Sequence, residues 1–170
     1  MNLNKNLIFL GMMGSGKSSI GYLVSKKLNL NFFDIDHLIE KNEEMTISNI
    51  FKERGEINFR KLEEKITLKT LKSKNSVIAL GGGGFVNEKI RNEIIKNHLS
   101  FWLNWSDHIL LKRIKASKKR PLALNSTTQE IKQLIKRRIK IYSKAQFKIN
   151  CNKLSKSEIV KEVIKNYELC

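Results

Sequence analysis

The chain has 170 residues, 41% of them hydrophobic and 29% charged, which suits one globular domain with its own core and excludes a disordered or fibrous protein. No run is long and apolar enough to span a bilayer, and two cysteines without metal-ligand spacing exclude a disulfide framework and suit a reducing cytoplasm. Of the net charge of +17, residues 112–165 contribute most, with 17 basic against 3 acidic side chains; a nucleic-acid surface and a solvated lysine face serving small anions both remain open.

The first apolar run, in MNLNKNLIFLGMMG, imitates a signal peptide but passes straight into glycines without a cleavage-like site, so it reads as a core strand. Four further β-like runs follow at 31–36, 76–81, 99–105 and 147–151, the first covering 6–11. Helical spacing fills 20–30, 88–97, 106–115, 128–145 and 155–168, and 37–74 has room for two or three helices. Such alternation predicts right-handed crossovers and an α/β fold of three layers, α/β/α, on a five-stranded parallel sheet. No repeat or linker divides it, so 1–170 reads as a single domain. The one proline, Pro121, lies in the polar stretch ASKKRPLALNSTT, and about 115–126 reads as a mobile lid.

Behind the first strand, Gly11 to Ser18 read GMMGSGKS, the G-x-x-x-x-G-K-[ST] phosphate loop, with a helix to follow. Glycines let backbone N–H groups wrap a phosphate at the helix's positive end; Lys17 reaches the outer phosphates and the Ser18 hydroxyl ligates Mg²⁺. Switch, motor and kinase all use such a loop. The nearest approach to a guanine-binding Asn-Lys-x-Asp signature, Asn152 to Ser155, lacks the aspartate, and the chain is short for a motor. Small-molecule phosphoryl transfer is the leading class.

Next come candidates for the acceptor. Asp34 and Asp36 share one face at the C-terminal end of the second strand if that strand persists, one to hold Mg²⁺ through water and one to accept a hydroxyl proton. A helix cap is the alternative for Asp36. Arg60 has Glu56, Glu63 and Glu64 at helical contact spacing, as a surface ion pair or as a fork held ready for a carboxylate. Gly81 to Gly84 suit close backbone approach to a ligand, or simply a flexible strand exit. Arg113 could stack on an adenine ring or sit on a solvated helix face. Arg120 in the lid suits closure over a transferring phosphoryl. Arg138 falls on the apolar stripe Ile131, Leu134, Ile135, Tyr142, Ala145, where its charge needs an anionic partner, either a ligand carboxylate or a structural Asp or Glu.

Together, GMMGSGKS, FFDID, the GE..FR..E pattern from Gly55 to Glu63, ALGGG, RPL at 120–122, and Arg138, Tyr142 and Ala145 resemble shikimate kinase over nearly the full chain. Gluconate and adenylate kinases share the phosphate loop but not this combination. The resemblance implies a nucleoside-monophosphate-kinase-like P-loop fold and MgATP-dependent phosphorylation of the 3-hydroxyl of shikimate on the chorismate and aromatic amino acid route, by a cytoplasmic monomer with no membrane or nucleic-acid partner. It places Lys17, Asp36 and Arg120 in catalysis, and Gly14, Ser15, Gly16, Lys17, Ser18, Ser19, Arg113 and Arg120 on ATP. Asp36, Arg60, Gly81, Gly82, Gly83 and Arg138 fall on shikimate, and Ser18 with Asp34 on the metal. A kinase for another hydroxy acid such as gluconate, or a basic nucleic-acid-binding protein, are the alternatives. Gly84 stands where the family more often has alanine, and no proline precedes Tyr142.

Overall fold

The computed structural model describes residues 5–116 and 126–170. Five parallel strands lie in the order β2-β3-β1-β4-β5: β1 Leu7–Leu10, β2 Asn31–Asp34, β3 Ser76–Ala79, β4 Leu99–Asn104 and β5 Phe147–Asn150. The helices are α1 Lys17–Leu28, α2 Ile35–Glu43, α3 Ile47–Leu71, α4 Glu88–Asn97, α5 Asp107–Lys115, α6 Thr128–Tyr142 and α7 Lys156–Glu168, and a 3₁₀ turn spans Gly84–Val86. The three-layer α/β architecture expected from the alternation is the one observed.

Sequence decides which strands are central. LIFL and SVIA are uninterrupted by charge and every residue in them is buried, as strands covered on both faces must be. NFFD and FKIN carry exposed positions and form the two edges. Phe9, Phe101 and Phe147 stack across β1, β4 and β5, with centroids 5.7 and 4.9 Å apart. Helix starts follow their caps: Thr127 with Glu130 and Ser155 with Glu158 form capping boxes, and Asn87 and Thr46 accept at their own helices. Below the sheet, Asn6 is fully buried and its amide ties α3 to β3 by donating to Leu71 O and Ser73 O and accepting from Ser76 N–H.

The stretch 37–74 resolves into α2 and a bent α3. Gly55 interrupts α3 with φ 75° and ψ 169°, a conformation open to glycine and nearly closed to other residues, so the helix comprises two arms. Among the described residues, no helix is long and apolar enough to cross a membrane. The lid residues Lys118, Lys119, Arg120 and Pro121 lie outside the described residues.

Candidate active site

All the sequence candidates within the described residues sit on loops at the C-terminal edge of the sheet or on helices leaning over it, where open α/β sheets bind ligands. Between β1 and α1 the phosphate loop turns through positive φ at Gly11, Gly14 and Gly16. Lys17 is buried, and its ammonium donates to Gly11 O at 3.0 Å and Met12 O at 3.1 Å, so the loop's own carbonyls hold it over the cradle. The Ser15 hydroxyl is buried with no partner, and Ser18 and Ser19 are exposed on the first turn of α1. A pocket of about 340 Å³ opens beside the loop, between Gly14, Ser15, Gly16 and Arg113 on one side and Leu154 and Ile159 on the other.

At β2 one expectation is corrected. The strand ends at Asp34 and α2 begins at Ile35, so the two aspartates do not share a strand face. Asp34, not Asp36, is the cap: its Oδ1 accepts from His37 N–H at 3.2 Å. Asp36, half-buried in the first turn of α2, faces the glycine run instead, with Oδ1 only 2.6 Å from where a Cβ on Gly81 would stand.

The glycine run is a wall that side chains from three helices touch. A Cβ on Gly81 would overlap Glu63 Oε1 as well as Asp36, one on Gly83 would overlap the Arg60 guanidinium, and one on Gly82 would lie 3.7 Å from Arg138 Nη1. Close approach, rather than a flexible strand exit, is what these glycines provide. Gly84 is different, since the nearest atom to its Cβ would be Leu80 Cβ at an ordinary 3.6 Å. The alanine more often found there in the resembled family would therefore fit.

Arg60 is held by its own helix, Nη1 donating to Glu63 at 2.6 Å and Nη2 to Glu56 at 3.0 Å. Burial works against its charge, but the Glu63 and Glu56 carboxylates outweigh that and raise its pKa above the ordinary arginine value. Glu64 takes no part, turning to Lys89 and Asn87. Arg138 is the contrasting case: it is 7% exposed on α6, whereas Arg137 beside it is exposed. Arg138 Nη1 donates to Met12 Sδ at 3.6 Å, and no carboxylate among the described residues lies within ion-pair distance of it. The structural Asp or Glu that would have explained its burial is absent among the described residues. Arg60, Gly83 and Arg138 open on one pocket of about 460 Å³ with Leu134 and Ile141.

Met12 and Met13 of the phosphate loop reach Arg138, Tyr142 and the glycine wall. Met12 Sδ contacts Arg138 and lies 4.0 Å from the Tyr142 hydroxyl, and Met13 N would be 3.3 Å from a Cβ on Gly82. Tyr142, fully buried, donates to Gly82 O at 2.5 Å; burial, with Glu63 adding to it, pushes its phenol up to about 12, so it remains a neutral donor. Arg113, expected on adenine or in solvent, lies with its guanidinium 3.8 Å over the Trp105 ring.

Three contributors escaped the sequence reading as site components. The spacing gives Glu63 as a partner of Arg60, by surface ion pair or by holding its fork, but not as part of the glycine wall, against which its Oε1 is buried and unpaired. Its signal was the stripe Phe59, Glu63, Thr67, Thr70, buried along one face of α3 and mostly polar. Trp105 has no local signal, and Tyr142 stands in the sequence on the apolar stripe and in the resemblance without anything that marks its hydroxyl for Gly82.

The metal candidates, Ser18 on the first turn of α1 and Asp34 at the end of β2, offer oxygen donors alone, and no cluster of three His, Cys, Asp or Glu side chains occurs among the described residues. That set fits a hard cation that keeps most of its water, such as Mg²⁺, and not a tightly caged metal.

The family model of shikimate kinase matches residues 13–168. The shikimate kinase of Bartonella quintana is 41% identical over 95% of this chain and 78% of its own length, and that of Thermodesulfovibrio yellowstonii 38% identical over 96% and 95%. Among solved structures, shikimate kinase from Acinetobacter baumannii in complex with shikimate superposes with a TM-score of 0.90 at 28% identity, covering 96% of this chain and 93% of that one. A family model that matches most of the chain, relatives about 40% identical over nearly all of it, and a fold that superposes almost end to end leave one conclusion: the chain belongs to the shikimate kinase family.

Proposed function

We propose that the protein transfers the γ-phosphoryl group of ATP, bound with Mg²⁺, to the 3-hydroxyl of shikimate. The observation that carries this reading is Arg138, a buried cation without a carboxylate partner among the described residues, facing a pocket it shares with a second, pre-oriented arginine. Two guanidinium forks across such a pocket suit a planar carboxylate, and the relative solved with shikimate supports a shikimate carboxylate there.

The other residues then divide the work. Arg60, steered by Glu56 and Glu63, and Arg138 fix the acceptor by its carboxylate; backbone of Gly81, Gly82 and Gly83 lies along its ring. Asp36, beside Gly81, holds ring hydroxyls and takes the proton of the attacking one. Lys17 exchanges its loop carbonyls for phosphate oxygens, with the N–H groups of Gly14, Ser15 and Gly16 around them and Ser18 and Ser19 behind. Ser18 and, through water, Asp34 would hold the Mg²⁺, which supplies charge neutralisation on the phosphates. Arg113 borders the pocket where the base would rest, and Arg120 is assigned to the transferring group. It acts as a monomer, and unpaired Cys151 and Cys170 support a reducing cytoplasm.

The test is ADP release from MgATP by the purified protein with shikimate, gluconate, AMP or no acceptor. Release that depends on shikimate, with a phosphate monoester formed at its 3-position, is the expected result. Release with another acceptor in place of shikimate refutes the substrate, and none with any acceptor refutes the kinase reading.

A further inference from the structure

Trp105 stands between β4 and α5, 9% exposed, and its indole does two things at once. Its Nε1–H donates to Ser15 O at 2.9 Å in a buried hydrogen bond, and its ring supports the Arg113 guanidinium at 3.8 Å. Arg113 in turn donates to Gly14 O at 3.4 Å. Two successive carbonyls of the phosphate loop are thus held from outside by one segment of the chain.

In a trans peptide the C=O and N–H point in opposite directions. With Ser15 O held outward by the indole, the N–H of Gly16 is turned the other way, into the cradle. The peptide between Ser15 and Gly16 has no strong preference of its own, because Gly16, at φ +88° with nothing within 4 Å of where a Cβ would stand, can adopt either sign of φ. Gly16 is the N-cap residue of α1 and, having no side chain, makes no capping hydrogen bond that could fix the plane.

We infer that Trp105 is a positioning residue for the phosphate site: its indole N–H locks the Ser15–Gly16 peptide with the Gly16 N–H facing phosphate, and its ring separately sets Arg113 along the neighbouring pocket. This rests on the reading that the loop binds a nucleotide. Trp105 does not line the acceptor pocket, so shikimate binding is independent of it.

Two variants separate the two roles. Trp105→Phe keeps a ring under Arg113 and deletes the N–H; Trp105→Leu deletes both. Titration calorimetry with tripolyphosphate, which engages the cradle alone, with MgADP and with shikimate gives the readout. Losing one buried neutral hydrogen bond should weaken tripolyphosphate and MgADP by about 5- to 10-fold in Trp105→Phe. Trp105→Leu should match it for tripolyphosphate, bind MgADP more weakly still, and leave shikimate affinity unchanged in both. Wild-type affinity of Trp105→Phe for tripolyphosphate overturns the inference. So does a parallel loss of shikimate binding, which would mark general loosening of the fold. If the wild-type protein binds neither tripolyphosphate nor MgADP, the nucleotide reading itself has failed; binding by the wild type with no change in the variants defeats the role of Trp105 alone.

Discussion

Replacing Arg138 by methionine should make the free protein more stable while crippling it as an enzyme. In the unliganded structure the guanidinium is 7% exposed, its named neighbours are a thioether at 3.6 Å and the Tyr142 phenol, and no carboxylate among the described residues balances it. Exchanging buried charges for apolar groups of similar volume is often stabilising by ~1–4 kcal/mol. Methionine has nearly the length of the arginine stem and would lie against Met12. With ~1.5 kcal/mol gained, and ~2–4 °C per kcal/mol for a chain of this size, melting should rise by about 3–6 °C. Losing one partner of a buried charge pair costs ~2–5 kcal/mol, which corresponds to about 30- to 4000-fold in the KM for shikimate at 1.4 kcal/mol per tenfold. Scanning calorimetry without ligand and coupled ADP release measure the two effects, with the ATP KM expected to change less than about twofold. A lower melting temperature would mean that Arg138 has a stabilising partner in the free protein; a shikimate KM within about threefold of wild type would remove it from the acceptor site.

Lys17→Ala and Asp36→Asn should each abolish turnover with little change in melting temperature, and near-normal rates in either would remove its assigned role. Gly81→Ala should lower kcat/KM for shikimate by about 100-fold, because its Cβ would displace Asp36 and Glu63, whereas Gly84→Ala should stay within about threefold; equal effects would refute the geometry of the wall. His98 gives a pH prediction. Burial lowers its pKa from the ordinary 6.5, with Lys5 adding and Glu93 opposing. Below pH 6.5 the unfolded chain takes up a proton that the folded chain refuses, so stability falls as pH drops from 6.5 towards the folded value. Urea unfolding at pH 7.5 and 5.5 should show a smaller decline in His98→Gln than in wild type; equal declines would show that His98 is not the source.

Much of this was readable in advance where residue type and spacing carry the signal. The phosphate loop needs its glycines and lysine in fixed order, and Arg138 on an apolar stripe is a contradiction that only an anion resolves; helical phase alone separated it from Arg137. Asp34 and Asp36 were harder, because whether a strand ends at 34 or 36 depends on which aspartate caps α2, and a strand and a cap make the same residue acceptable. Glu63 was legible as a neighbour of Arg60 but not as part of the wall, since its Oε1 meets Gly81 and Gly84 across a long sequence separation. Trp105 belongs to the same class: its partner Ser15 is 90 residues away, and no local pattern encodes that distance.

The glycine wall also bears on how this enzyme can change under selection. A surface made of backbone cannot be retuned by exchanging side chains, and any replacement at all adds a Cβ. At Gly81 and Gly83 that atom collides with working groups, at Gly82 it crowds the phosphate loop, and at Gly84 alone it finds room. A compound that copies the acceptor and lies on this wall therefore faces a surface with almost no viable escape by point mutation. Resistance would have to arise at the aliphatic rim, Leu134, Ile141 and Val86, where volume can vary without touching an ionised group.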